Sequence, residues 1–527
     1  MSSPKGFAKF IIVLTTVTAA VMELVDTSIV NVGLSQMAGS LGVSIEDISW
    51  VITAYAIANV IIIPMTGFLA EYFGRKNYYI ASMIIFTIAS YLCAQSTGLV
   101  ELIAWRFVQG IGGGALLSTS QAILFDAFTP KDRPMASGLF GMGLVLGPTL
   151  GPTIGGYLID HFSWPMMFLV NLPIGVVATL LSIYFIGKKE GEGKQKDKMQ
   201  VDYMGIALLM AGIGSLQFVL ERGDAEDWFS SNAIKVTAAV AIVGLIGFVW
   251  RELTIENPAV NLKVMKNRSY AFTTIFTFVA GLGLFTSVFV YPVLAQRVLG
   301  FTSLETGLSL LPPTLIGVIM MPIIGRLMSK GISPIPFTLV GFLLFASYAW
   351  VSASVSPDAG RWDFFFPLVL RAFGISMAQL PLINQAVAGL AQKDYPAGIS
   401  LNNMIRQIGG AFGIALANNY VTHQYVQHRT DLVSNIYTGN AALADRLNIT
   451  AQGLASKTGD LADATTQAYH LVNASIDRQS YYLAYLDTFH LIGIFFIAVL
   501  PLLFFMRSKK KAKEDIAAAK DAMENAH

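Results

Sequence analysis

Apolar runs long enough to cross a bilayer recur from one end of this 527-residue chain to the other. A helix needs roughly 18 or more predominantly apolar residues to span hydrocarbon. Such runs lie near 10–34, 47–70, 77–97, 99–124, 135–159, 164–187, 202–221, 233–252, 270–296, 304–328, 334–355, 363–390, 397–421 and 487–506. The run at 397–421 is the most polar, because it carries Arg406 and several amides. Composition fits the same reading: 13% of residues are charged, against about 25% in a soluble domain. The expected fold is an all-α polytopic membrane protein with fourteen transmembrane helices.

Lysine and arginine bias in short loops sets orientation. One side collects Lys5, Lys9, Arg75, Lys76, Lys131, Arg133 and the cluster Lys188, Lys189, Lys194, Lys196 and Lys198. It also takes Lys263, Lys266, Arg268, Lys330, Lys393 and the tail lysines Lys509, Lys510, Lys511 and Lys513. Short loops opposite hold little beyond Arg222, Lys235, Arg297 and Arg361. Both termini are therefore expected in the cytoplasm, as an even span count requires. The first apolar run contains Glu23 and Asp26 and lacks a small-residue cleavage pattern, so no cleavable signal is expected. A single cysteine, Cys93, rules out an internal disulfide and a cysteine metal cluster, and no metal site is expected. The net charge of +2 follows the loop bias and suggests no nucleic-acid partner.

The chain repeats itself. "IIIPMTGFLAEYFGRK" (61–76) ends the second run and "VIMMPIIGRLMSKGIS" (318–333) the tenth, with Pro64 and Gly67 recurring as Pro322 and Gly325. Arg106 in the fourth run recurs as Arg371 in the twelfth. Pro134 and Pro396 open the fifth and thirteenth, each followed thirteen residues later by a glycine, Gly147 and Gly409. This order predicts an N-terminal six-helix half (1–187), a cytoplasmic linker (188–201), two inserted helices (202–252), a C-terminal six-helix half (270–506) and a cytoplasmic tail (507–527). Within the second half, 422–486 reads as a polar extracytoplasmic loop of helical character. Two parallel six-helix halves are a recurring transporter plan, with the substrate cavity between them.

Ionisable side chains inside a span are costly and are first read as functional. Glu23 and Asp26 in "VMELVDTSIVNVGL" (21–34) stand three apart, on one helix face, where two carboxylates could share a proton. The competing reading is a carboxylate permanently paired to an arginine. Arg106 in "WRFVQGIGGG" (105–114) cannot lose its proton, so it needs an anion, with Asp26 the candidate, or a set of carbonyls. Gly67, Glu71, Gly74, Arg75 and Lys76 lie where a charged latch between helix ends could form, or a plain positive-inside anchor. In "GLVLGPTLGPTIGGYL" (143–158), Gly143, Gly147, Gly151 and Gly155 fall four apart and make a flat stripe for close helix packing, with Gly156 beside it. Pro148 and Pro152 remove ladder hydrogen bonds and allow bending. Together they suggest a bent helix packed tightly on the other half.

Several stretches resemble one family. "GFLAEYFGRK" is similar to the loop motif of the major facilitator superfamily, with Glu71 where aspartate is more usual. "LIAWRFVQGIGGG" resembles its fourth-helix arginine motif, and "GLVLGPTLGPTIGG" the fifth-helix motif of proton-coupled exporters. "LVDTSIVNVGL" and "LNNMIRQIGGAFGIAL" (401–416) resemble the first and thirteenth helices of fourteen-span drug:proton antiporters of the EmrB/QacA group, on its EmrB-like side. Ser35 stands where the first-helix motif usually ends in proline, and Glu23 where EmrB-like chains often have a neutral residue.

The resemblance implies a proton-coupled multidrug exporter of lipophilic or amphipathic compounds working by alternating access, in the inner membrane of a bacterium. Asp26 would be the proton site with Arg106 its coupling partner, possible help from Glu23, and protons the only cofactor. The fifth-helix glycines and prolines would form the antiporter hinge and seal. A periplasmic adaptor and an outer-membrane channel would dock on 422–486. Intramembrane polar residues Asn31, Asn59, Gln109, Gln121, Gln379, Asn384, Asn402 and Arg406 are candidate cavity linings. The alternative is a dedicated exporter of one endogenous amphiphile such as a fatty acid, lysolipid or siderophore, for which Arg406 and Arg371 would favour an anion. A scaffold that had lost transport would be expected to have lost the Asp–Arg pair. An enzyme is disfavoured, because no GxSxG, HExxH or P-loop pattern occurs.

Overall fold

The computed structural model describes residues 6–187, 201–256, 258–391, 394–434, 436, 440–458 and 460–506. The expected linker at 188–201, apart from Val201, and the expected tail at 507–527 lie outside the described residues. Among the described residues every regular element is helical.

The long helices follow the apolar runs: α1 (Phe7–Leu41), α2 (Trp50–Phe73), α3 (Arg75–Gln95), α4 (Leu99–Ala127), α5 (Arg133–His161) and α6 (Asn171–Phe185). Next come α7 (Tyr203–Arg222), α8 (Asn232–Thr254), α9 (Arg268–Arg297), α10 (Ser303–Ser329), α11 (Pro334–Ser352) and α12 (Phe365–Gln385). The chain ends with α13 (Tyr395–Ser434), α14 (Ala441–Thr458) and α15 (Leu461–Ala498). Twelve helices among the described residues are long and apolar enough to cross a membrane. The expected count of fourteen is not reached on that measure. The two that fall short, α4 and α13, are helical where expected but rich in glycine, amide and hydroxyl side chains. They pack inside the bundle, where such residues find partners.

Helix ends follow local chemistry. Gly42 takes a left-handed conformation (φ 66°) and returns its N–H to Ala38, ending α1. Thr302 and Glu305 form a reciprocal capping box at the start of α10. A π-helical turn, Met210–Gly214, interrupts α7 where Gly212 meets the backbone of Gly244 and Leu245 in α8. Valines and isoleucines of α8 such as Val236, Val243 and Ile246 point outward, which suits a lipid-facing surface.

The polar stretch 422–486 is not a separate loop. The α13 helix runs on to Ser434, and α15 starts at Leu461, far ahead of the expected final span at 487–506. Tyr425 stacks on Tyr481 at 4.1 Å between ring centres, and Arg429 donates to Asp477 at 2.7 Å. This projection and α14 form the far end of the molecule. The start of α1 and the α2–α3 turn mark the near end. Arg478 donates to the Val298 carbonyl at 2.6 Å and ties the projection to the end of α9.

Candidate functional site

Asp26 sits at the centre of a closed polar cluster built from α1, α3, α4 and α6. Its Oδ2 accepts from Arg106 Nη1 at 2.6 Å. Its Oδ1 accepts from Gln109 Nε2 at 2.9 Å and from Asn171 Nδ2 at 2.8 Å. Arg106 also donates to the Val51 carbonyl (3.2 Å) and to Gln109 Oε1 (2.8 Å), and its guanidinium lies 4.1 Å from the Tyr55 ring centre. Ser90 accepts from both Gln109 and Asn171 at 2.9 Å. Asp26 is 0% and Arg106 1% exposed, so the pair is fully enclosed.

Glycine makes this enclosure possible. Gly110 and Gly114 of α4 lie against the backbone of Tyr55 and Asn59 in α2, and Gly112 against Phe86 in α3. A methyl group at any of them would meet backbone atoms closer than real side chains do. The approach brings Arg106 onto the Val51 carbonyl and the Tyr55 face. An ionised Asp26 satisfies three donors and balances a cation that cannot discharge. Protonating it removes that balance while leaving Arg106 charged, so the arrangement is coupled to the charge on one carboxyl.

Glu23, one turn earlier, has different company. Its Oε1 accepts from Asn59 at 3.0 Å, and Asn59 in turn accepts from Gln407 of α13 at 3.3 Å. Glu23 Oε2 meets no partner, and neither do Arg406 Nη1 and Nη2 on α13. The two carboxylates therefore engage separate partners, Asp26 within the first half and Glu23 toward the second.

The glycine stripe of α5 meets α1 rather than the other half, contrary to the sequence expectation. Gly143 faces Val21, Gly147 faces Leu24, Gly151 faces Ser28 and Gly155 faces Ile29. The second half is met by the opposite face of α5. Gly138 and Gly141 lie against Met321 of α10, Thr149 is 3.4 Å from Thr314, and Thr153 lies against Gly307. Positions two residues apart lie about 200° around a helix, so 143–155 and 141–153 mark opposite faces. Spacing identifies a close-packing face but does not name the neighbour. Pro148 and Pro152 remain inside one continuous helix.

At the near end Arg75 forms an ion pair with Asp126 of α4, and Lys76 donates to the Ile183 carbonyl at 2.6 Å. Gly74 turns the chain with φ 83°. Glu71 is exposed and makes no ion pair among the described residues. Three contacts join the halves at the near end. Gly67 abuts the Pro396–Ala397 backbone, Arg133 donates to Tyr395 Oη at 3.0 Å, and Ser137 donates to Asn384 at 3.0 Å.

The other expected cavity residues are scattered. Asn403 links the halves by donating to Ser118 (3.0 Å) and Gln121 (3.3 Å), and Asn402 accepts from Thr277 at 2.9 Å. Gln379 is buried, and its Nε2 lacks a partner. Gln109 belongs to the Asp26 cluster, Asn384 to the near-end contacts, and Asn31 is exposed. Asn59, Gln121, Asn402 and Arg406 remain as buried polar groups at or near the contact between halves. Sequence reasoning missed Asn171, Ser90, Asp126 and Tyr395. Amides, hydroxyls and end-of-helix charges are too common in such helices to single these out.

Residues 16–414 match the Major Facilitator Superfamily. The chain is 31% identical over 490 residues to "Multidrug export protein EmrB" of Escherichia coli K12, covering 93% of each protein. It is 29% identical over 499 residues to "Fatty acid resistance protein FarB" of Neisseria gonorrhoeae, covering 94% of this chain and 96% of that protein. The crystal structure of the human organic anion transporter MFSD10 superposes with a TM-score of 0.57 at 14% identity, covering 95% of this chain and 99% of that one.

Proposed function

The chain belongs to the major facilitator superfamily, and on that premise we propose that it is a multidrug efflux transporter exchanging protons for lipophilic or amphipathic compounds. It is a multi-pass membrane transporter for small molecules. The observation that carries the proton-coupled reading is the sealed Asp26–Arg106 pair, braced by Gln109 and Asn171. Loading a proton on Asp26 releases Arg106 from its anion. The α1 helix can then shift against the α5 stripe, which faces Leu24 and Ser28 on either side of Asp26. Because the other face of α5 packs on α10, motion of α1 is passed to the second half.

In this reading all fourteen long apolar runs cross the bacterial inner membrane, with both termini in the cytoplasm. The near end is then the cytoplasmic gate, and the contacts of Gly67, Arg133, Ser137, Asn384 and Tyr395 across the halves support a closed gate in this reading. The Arg75–Asp126 pair fixes the α2–α3 turn behind it. Substrate is held between the halves near Asn59, Gln121, Asn402 and Arg406. The projection at 422–486 docks a periplasmic adaptor that leads to an outer-membrane channel. Deleting 436–472 would then abolish resistance in cells while leaving transport in vesicles intact. Survival of both would overturn the docking.

A second reading, a dedicated exporter of an anionic amphiphile, is favoured by two observations. One relative is named for fatty acid resistance, and two Arg406 nitrogens meet no acceptor. A substrate panel in an exporter-deficient host decides between them. Resistance to several unrelated cationic and neutral dyes, lost when the proton gradient is collapsed, supports the multidrug reading. Resistance to fatty acids alone supports the second, and resistance to nothing overturns both.

A further inference from the structure

The second half contains a buried arginine that the proton mechanism does not use. Arg371 of α12 is 3% exposed, and its Nε and Nη1 meet no acceptor. In the first half α1 gives Arg106 a carboxylate. In the second half α9 takes the place of α1, since Thr286 of α9 crowds Gly413 of α13 as Ser28 of α1 crowds Gly151 of α5. The stretch "AGLGLFTSVFV" (280–290) around that contact contains no acid.

What surrounds Arg371 is phenol and hydroxyl. The antiparallel helices α11 and α12 touch where Gly374 meets the Phe345 backbone and Gly341 meets Ala378, which sets Tyr348 level with Arg371 and Ser352 one turn beyond. Tyr291 is engaged with Ser309 at 2.6 Å, while Tyr348 Oη and Ser352 Oγ, each on a residue 1% exposed, have no partner. Two guanidinium N–H groups and two hydroxyls therefore gather at one place with no carboxylate among them. A guanidinium cannot discharge, and an unpaired one is among the costliest groups to bury.

We propose that Arg371, Tyr348 and Ser352 form a binding site for a small monovalent anion of chloride size within the second half. Its walls are aromatic: Phe345 and Phe489 pack edge-on against Tyr348, and Phe364 packs against Tyr291. Such walls suit an ion that sheds water easily and exclude multiply charged ones. The second arginine is thus balanced by an exchangeable ion instead of a titratable carboxylate, and that half responds to anions where the first responds to protons.

The test uses purified full-length protein, with chloride replacing gluconate at constant ionic strength and the unfolding midpoint as readout. The wild-type midpoint rises saturably with chloride, Tyr348→Phe saturates at about tenfold higher chloride, and Arg371→Gln does not respond. A bromide-exchanged crystal gives an anomalous peak beside Arg371. A flat wild-type midpoint, or an equal response in wild type and Arg371→Gln, overturns the site. Arg371-dependent stabilisation by dodecanoate but not by chloride also overturns it, assigning the cluster to a substrate carboxylate. If Arg371→Gln fails to fold, an unchanged chloride response in Tyr348→Phe is decisive against it. None of these measurements depends on transport, so the site stands or falls separately from the exporter reading.

Discussion

The two halves each bury one arginine at matching places in the repeat, and they treat it in opposite ways. Arg106 is locked to Asp26 at 2.6 Å and also donates to the Gln109 amide and the Val51 carbonyl. Arg371 sits among tyrosines, with two guanidinium nitrogens unmatched. A duplicated scaffold can keep its packing while dividing its chemistry, since glycine contacts recur in both halves and the carboxylate does not. The first half is therefore the one in which a proton can change the balance of charge. The second half, with Arg406 and the Asn402–Asn403 amides, supplies polar groups to the contact between halves.

The contrast can be broken most forcefully at the arginines. Arg106→Gln leaves Asp26 buried without its cation, and removing one partner of a buried pair costs about 3–5 kcal/mol. We expect that loss in the unfolding of purified protein, and no transport. Arg371→Gln removes no partner from a carboxylate, so its loss of stability in chloride-free buffer should be clearly smaller. Equal losses would mean that the two sites are alike after all.

The α5 stripe comes next. Gly147→Leu and Gly151→Leu force bulk against Leu24 and Ser28, and overpacking of this kind costs about 1–3 kcal/mol. Efflux of a fluorescent substrate should fall to background with the protein still in the membrane. Unchanged efflux would show that α1 need not move against α5.

Asn171→Leu deletes one charge-assisted hydrogen bond to Asp26, a loss of about 1.5–3 kcal/mol. Proton-coupled efflux in proteoliposomes should fall, because Asp26 then keeps only two of its three donors. Efflux identical to wild type would place Asn171 outside the coupling. The smallest effect is expected from Tyr395→Phe. It removes one hydrogen bond from Arg133 but keeps the ring 4.8 Å from the guanidinium, so near-end cross-linking rates should change by less than about tenfold.

Legibility in the sequence followed the cost of the residue. Asp26 and Arg106 stood out because a charge in an apolar run demands a partner, and the helices bearing them were fixed by run length. Asn171 and Ser90 complete the same site but carry ordinary polarity, so nothing in one sequence raised them above their neighbours. The α5 glycines announced a close contact, yet periodicity defines a face and leaves its neighbour open, and α1 occupied it. The helical character of 422–486 was legible in its composition, but the pairing of its helices was not. Its helices are stabilised by Tyr425, Arg429 and Asp477 across chain-distant positions, which leaves no apolar run to read. Glu71 and Arg75 looked like one latch, and only Arg75 found its partner, Asp126, fifty-one residues away.

The most direct measurement is proton movement in proteoliposomes when substrate is added under a substrate gradient. Wild-type protein should move protons opposite to substrate, and Asp26→Asn should abolish that movement while retaining substrate counterflow. Proton movement that persists in Asp26→Asn would contradict the account, because the charge on Asp26 would then not couple the two flows.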